Sequence, residues 1–204
     1  MKLVQLYKQV KEENKEPVKV LVPRRSPDER AKNFLVATNK KIQEYIKNGS
    51  QGNLNLEGTP ITSLPDDLTK VGGNLNLRNT PITSLPDKLT VGGDLDLMNA
   101  NITSLPNNLT VGGFLDLENT PITSLPEDLT VGHSLSLANT PITSLPNNLT
   151  VGRYLNLFNT KITNLPKDLT VGGSLSLENT PISKQYTIKQ FKQMVPGVKG
   201  NIYS

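Results

Sequence analysis

Apolar residues in this chain fall into one figure that repeats. From residue 72 the stretches GGNLNLRNTPITSLPDKLTV, GGDLDLMNANITSLPNNLTV and GGFLDLENTPITSLPEDLTV follow one another. The leading leucines stand 20 residues apart, at Leu75, Leu95, Leu115, Leu135, Leu155 and Leu175. Leu54 opens the series 21 residues earlier, because Lys70 is inserted between Thr69 and Val71. Seven such segments occur and six of them complete the unit. Fixed self-similarity at this period marks a solenoid, in which each coil buries its apolar residues against the next. Within GGxLxLxN the leucines alternate with other residues, as in a strand with one buried side. The unit has room for a strand, a turn and an extended return, but not for a full helix as well. Asn-Thr-Pro supplies the turn, since Asn tolerates turn geometry and Pro fixes φ. The leucine before each Pro is pushed to extended backbone, so ITSLP is not helical. Gly-Gly before the strand suits a tight corner. Stacked units predict a parallel sheet with strands about 4.8 Å apart. Each fully buried leucine contributes roughly 1.5–3 kcal/mol, so a continuous aliphatic core can be built by repetition.

The period stops at both ends, where a solenoid needs covers. Three regions follow: a basic N-terminal helical cap over 1–50, the solenoid over 51–182, and a C-terminal cap helix and tail over 183–204. Ser26-Pro27-Asp28-Glu29 is a capping box with Pro at the first helical position, and Asn48-Gly49 marks the stop, which predicts a helix over 26–48. Phe34, Leu35, Ile42, Tyr45 and Ile46 give it an apolar stripe expected to cover the first coil. Residues 2–14 read as a further short helix, and 18–22 as an extended segment. After Ser183, Thr187 to Gln190 forms a second capping box, with Ile188, Phe191 and Met194 facing the last coil. Residues 198–204 form a tail suited to pairing with a sheet edge. With a cover at each end, the sequence reads as a whole chain.

The pattern resembles the leucine-rich repeat family, whose consensus is LxxLxLxxNxLxxLP. In the third unit Leu95 and Leu97 match the strand leucines, Ile102 the next core position, and Leu105-Pro106 the closing pair. The resemblance covers about residues 52–182. The first consensus leucine is replaced by Gly92, with Val91 one residue earlier. The consensus asparagine falls on Thr80, Thr120, Thr140, Thr160 and Thr180, and once on Ala100. The family's buried asparagine ladder therefore becomes a threonine ladder, each hydroxyl expected to bond loop backbone, because a buried unpaired hydroxyl is costly. The short unit looks most like bacterial leucine-rich repeats, including type III effectors, and like repeat proteins of tailed phages. The resemblance implies an α/β solenoid: a right-handed leucine-rich repeat with a parallel concave β-sheet, a mostly irregular convex side, and helical N- and C-terminal caps. In bacterial ubiquitin-ligase effectors such a repeat precedes a catalytic cysteine domain. This chain has no cysteine, so that activity does not carry over.

Composition narrows the chemistry. Cysteine is absent and histidine occurs once, at His133, which excludes disulfides, thiolate zinc sites, Cys nucleophiles and two-histidine metal motifs. No segment approaches the ~18–20 apolar residues that cross a bilayer. The N-terminus turns charged too soon for a signal peptide. The expectation is a cytoplasmic protein, with association to a virion or delivery to a host as variants of that reading, and no cofactor. The net charge of +4 hides a pattern. Residues 1–50 carry 12 Lys+Arg against 6 Asp+Glu, residues 51–182 carry 6 against 12, and residues 183–204 carry 4 against none. The basic ends include Lys19, Arg24, Arg25, Lys184, Lys189, Lys192 and Lys199, while the acidic middle would repel phosphate, which argues against nucleic acid.

Function is sought in the columns that packing leaves free. One reads Asn53, Asn74, Asp94, Phe114, Ser134, Tyr154, Ser174 down the coils; the next reads Asn55, Asn76, Asp96, Asp116, Ser136, Asn156, Ser176. A third reads Glu57, Arg78, Met98, Glu118, Ala138, Phe158, Glu178, and the corner column is Gly except at His133 and Arg153. Aromatics are only 4% of the chain, yet Phe114, Tyr154 and Phe158 fall in outward columns. With His133 and Arg153, and with Met98 and Arg78 nearby, they form a candidate protein-binding patch, since aromatics and Arg dominate interface energetics. The ordinary alternative is surface drift on a scaffold. Asp94, Asp96, Asp116 and Glu118 form an acidic cluster that could hold a hard cation such as calcium, though nothing resembles the Gly-bearing calcium loops. Its ordinary reading is a solvated acidic face, and no metal site is assigned. His133 and Ser134 are adjacent on a strand and face opposite sides, so they make no catalytic pair. The resulting expectation is a non-enzymatic protein-protein interaction module whose partner binds the concave face, the chain itself being a monomer or weak homo-oligomer. The alternative is a structural or assembly protein, such as a phage virion component, that self-associates through its caps.

Overall fold

The structure is a computed structural model and describes residues 26–204. The helix expected over 2–14, the extended segment over 18–22 and the basic residues Lys19, Arg24 and Arg25 lie outside the described residues.

Helix α1 spans Pro27–Lys47. Its capping box forms as the spacing predicts: Ser26 N–H donates to Glu29 Oε2 at 3.0 Å, and Glu29 N–H donates to Ser26 Oγ at 3.2 Å. Fourteen strands of two residues each follow. In chain order they are β1 (Leu54–Asn55), β2 (Lys70–Val71), β3 (Leu75–Asn76), β4 (Thr90–Val91), β5 (Leu95–Asp96), β6 (Thr110–Val111) and β7 (Leu115–Asp116). Then come β8 (Thr130–Val131), β9 (Leu135–Ser136), β10 (Thr150–Val151), β11 (Leu155–Asn156), β12 (Thr170–Val171), β13 (Leu175–Ser176) and β14 (Ile202–Tyr203). Helix α2 (Ile188–Met194) lies between β13 and β14.

The strands build a parallel β-solenoid. The odd-numbered strands stack in sequence order and β14 closes the row, giving an eight-stranded sheet. Register is strict: Leu54, Leu75, Leu95, Leu115, Leu135, Leu155 and Leu175 are successive partners. The even strands from β2 to β12 form a second parallel sheet of six. One sheet was expected, and this second sheet is an addition to it; the rest of each full unit, from the asparagine turn to the leucine before Thr-Val, forms no strand or helix. The strands of the second sheet carry Val inward and, after the first, Thr outward, and two residues are too few to show alternation in the sequence. Both sheets flank the Gly-Gly corner.

The core is aliphatic, as expected. Both strand leucines, the valine, the isoleucine and the two later leucines of every full unit are buried. The threonine hydroxyls are satisfied within their own coils. Thr59, Thr80, Thr120, Thr140, Thr160 and Thr180 each donate to the carbonyl of the leucine three residues earlier, at 2.6–2.8 Å. The ladder between coils is made instead by the asparagines one residue before. Asn79, Asn99, Asn119, Asn139, Asn159 and Asn179 sit at φ of 54–59°, the left-handed turn that asparagine tolerates. Asn99, Asn119 and Asn159 each donate from Nδ2 to the Oδ1 of the previous coil's asparagine at 2.8–3.0 Å.

The glycine corner has a different cause from the one expected. The first glycine of each pair needs space, not an unusual φ. A Cβ on Gly92, Gly112, Gly132, Gly152 or Gly172 would sit inside van der Waals contact of the carbonyl oxygen of the glycine one coil earlier. Successive coils thus touch backbone to backbone at this corner.

At the N-terminal edge, Ile42 of α1 is part of the core, with Tyr45 and Ile46 packed against it. Side chains of α1 also meet backbone carbonyls of the first coil: Lys41 Nζ donates to Asn55 O, and Tyr45 Oη donates to Gly52 O at 2.8 Å. Phe34 and Leu35 do not cover the coil as expected; they are 50% and 38% exposed. They lie two turns from Ile42, beyond the part of α1 that contributes to the core. At the other edge Phe191 is buried, the Thr187–Gln190 capping box forms, and the tail pairs as β14 with β13. Val198 pairs with Val171 and Ile202 with Leu175, so the segment Val-Lys-Gly-Asn-Ile-Tyr is an abbreviated further coil.

Candidate functional site

The outer face of the eight-stranded sheet carries the columns singled out above. Their chemistry divides along the solenoid axis. In the first half the column nearest the corner is occupied by carboxamides and a carboxylate, and these hold backbone. Asn53 Oδ1 accepts from Asn74 N–H at 2.8 Å, Asn74 Oδ1 from Asp94 N–H at 2.9 Å, and Asp94 Oδ1 from Phe114 N–H at 2.7 Å. Each of these oxygens also fills the place where the next coil would carry a Cβ. A Cβ on Gly73, Gly93 or Gly113 would collide with Oδ1 of Asn53, Asn74 or Asp94 respectively. At these three corners that oxygen is the first obstacle to a Cβ, and backbone of the previous corner glycine follows at 2.8–3.0 Å; Gly173, which comes after Tyr154, meets Arg153 backbone instead.

Phe114 ends this chain of contacts, because it has no acceptor to offer. The next corner residue is His133, the first non-glycine in the column. Ser134 follows with a shorter side chain, whose Oγ accepts from Tyr154 N–H at 3.3 Å, and the corner of that next coil is Arg153. His133 and Arg153 are both exposed and occupy adjacent rungs, Arg153 N–H donating to His133 O at 2.7 Å. Phe114 is half-buried, and Tyr154 stands two coils on, 37% exposed. Phe114, His133, Arg153 and Tyr154 thus come together at one corner.

The other predicted patch residues lie apart from it. Phe158, 36% exposed, is four residues beyond Tyr154, about 13 Å along an extended chain. It lines a groove of about 540 Å³ with Glu178, Asn179, Ser183, Lys184 and Ser204. Met98 and Arg78 are half-buried. Arg78 belongs to β3's coil, four coils and about 19 Å from Arg153, and is ion-paired with Asp96 at 3.3 Å.

The acidic cluster has structural employment. Asp96 Oδ1 accepts from Met98 N–H at 3.1 Å and Asp116 Oδ1 from Glu118 N–H at 2.9 Å. Asn55, Asn76 and Asn156 make the same turn to Glu57, Arg78 and Phe158, so every Asn and Asp of this column holds the backbone N–H two residues on. Asp94 and Asp96 use their second oxygens on Asn74 and Arg78. Among the described residues no group of three His, Asp or Glu side chains is arranged to hold a metal ion. Asp116 is 7% exposed, and burial pushes its carboxyl above the usual range. The Glu118 N–H works against that shift, while the charges of Asp96 and Glu118 add to it. Asp116 marks the point where the acidic half of the face meets the aromatic half.

No family model matches the chain, and no curated protein does. Among the described residues, no helix is long and apolar enough to cross a membrane.

Proposed function

We propose that the chain is a leucine-rich repeat solenoid, right-handed and capped by α1 and α2, that acts as a non-enzymatic protein-binding module in the cytoplasm. Its partner lies on the face of the eight-stranded sheet. The observation that supports this reading most is the exposure of Tyr154 and Phe158, with half-buried Phe114, on that face, in a chain whose aromatics are only 4% of residues. Rigid aromatic anchors beside an arginine are the side chains that most often dominate binding energy. The test is capture from a lysate of the source organism, using the folded chain and a bait with F114S, R153S, Y154S and F158S together. A protein held by the first bait and lost by the second supports the reading and names the partner. Equal capture by both overturns it.

A second reading, self-assembly through the ends, draws on the C-terminal segment. Its four lysines, Lys184, Lys189, Lys192 and Lys199, are exposed and no acidic residue lies among them. Sedimentation separates the two: stacked oligomers favour assembly, and a monodisperse monomer favours the binder.

A further inference from the structure

The column that holds backbone in the first half of the sheet leaves backbone unheld in the second. Five N–H groups at this position take their acceptor from the side chain one coil earlier. Asn53, Asn74, Asp94, Ser134 and Ser174 all supply one, to Asn74, Asp94, Phe114, Tyr154 and Asn201. Phe114 and Tyr154 cannot. Among the described residues nothing accepts from the N–H of Ser134 or Ser174. Ser134 N–H is therefore a free donor on the partly open face beside Phe114, one residue from His133 and one rung from Arg153.

The arginines of this face differ in the same way as its acceptors. Two arginines lie on or beside the sheet face. Arg78 is matched by Asp96 at 3.3 Å. Arg153 is exposed, and no ion pair involves it among the described residues. A fixed N–H, a planar guanidinium and an imidazole on neighbouring rungs form a donor set for an oxyanion. Charge-assisted bonds of this kind are roughly twice as strong as neutral ones. Phe114 and Tyr154 flank the donors and would exclude water from them.

We propose that this corner receives a carboxylate of an acidic protein segment, accepting from Ser134 N–H and pairing with Arg153. The inference rests on the sheet-face reading above and gives the partner its chemistry. The acceptor oxygen that Asn53, Asn74 and Asp94 supply from within, the Ser134 N–H takes from outside.

The test is an amide NMR titration of the full chain with capped hexaglutamate, with capped hexaglutamine as the neutral control. The Ser134 amide resonance is expected to move saturably with hexaglutamate only. R153Q should weaken that binding roughly five- to tenfold, the loss of one charge-assisted contact. A second variant, F114N with H133G, rebuilds the pattern of the first half: Asn at 114 supplies the acceptor and Gly at 133 leaves room for it. It should stay folded and abolish the response at Ser134. An equal response to hexaglutamine, or unchanged affinity in R153Q, overturns the proposal. Shifts confined to Lys184–Lys199 also overturn it, while leaving the sheet-face reading to stand or fall on partner capture.

Discussion

The two halves of the eight-stranded sheet share a core and differ at the corner and on the outward column beside it. From Asn53 to Asp94 the column's oxygens bind the next coil's backbone and fill the place of a Cβ at the next corner, which is glycine. From Phe114 to Tyr154 the oxygens are lost or shortened, and the corner carries His133 and Arg153. Along these coils the corner is thus constrained both by the side chain of the coil before it and by that coil's backbone. The first half uses its polar atoms on itself and has little left to offer a partner. The second half gives up an acceptor at Phe114 and gains both an aromatic surface and room for cations.

The comparison can be broken most severely where the halves agree. The first corner glycine is constant, so G112A and G152A should be equally damaging, each by roughly 2–4 kcal/mol in urea unfolding, because a Cβ there overlaps backbone that cannot yield. A large difference between them would mean that the halves differ in backbone spacing as well as in side chains. The boundary residue gives a smaller, pH-dependent effect. Asp116 has its folded-state pKa raised by burial, so the folded chain holds that proton more tightly than the unfolded chain does. The stability it contributes is full below the ordinary carboxylate range and is lost as pH rises through the raised value. D116N keeps the turn, as Asn76 and Asn156 do, and should raise Tm at neutral pH but not at pH ~2, below that range. A gain that persists in acid would assign the effect to packing. The smallest effect belongs to the core. Ala100 stands where other coils carry the threonine that donates to a strand carbonyl, so A100T should stabilise by about 0.5–1 kcal/mol.

The sequence makes the period, the buried columns, the asparagine turn and both capping boxes legible, because each is a repeated or local rule. The second sheet is hidden because Thr90-Val91 and its counterparts are too short to alternate. The abbreviated last coil is hidden because Val198 and Ile202 follow Val171 and Leu175 by 27 residues, out of phase with the period. α1 shows the limit of periodicity. Its apolar stripe predicts burial for Phe34 as for Ile42, and only tertiary contact separates them. Of the site, the outward columns and their unusual residues are readable. That Phe114 and His133 are linked is not, since the link is a collision between one coil's Oδ1 and the next coil's absent Cβ. Arg78 reads like Arg153 until Asp96 is found beside it.

That collision is open to a direct measurement, a double-mutant cycle on Asn74 and Gly93. Asn74 Oδ1 is the atom a Cβ on Gly93 would meet first, and the nearest backbone is 3.0 Å away. G93R alone should cost roughly 2–3 kcal/mol, and N74S alone about 1 kcal/mol for the weakened bond to Asp94 N–H. The two together reproduce the Ser134–Arg153 arrangement of the second half. The account predicts that the pair costs less than the sum, with a coupling of about 1–2 kcal/mol in favour of the double variant. Additive losses would contradict it, and would mean that corner and column vary independently.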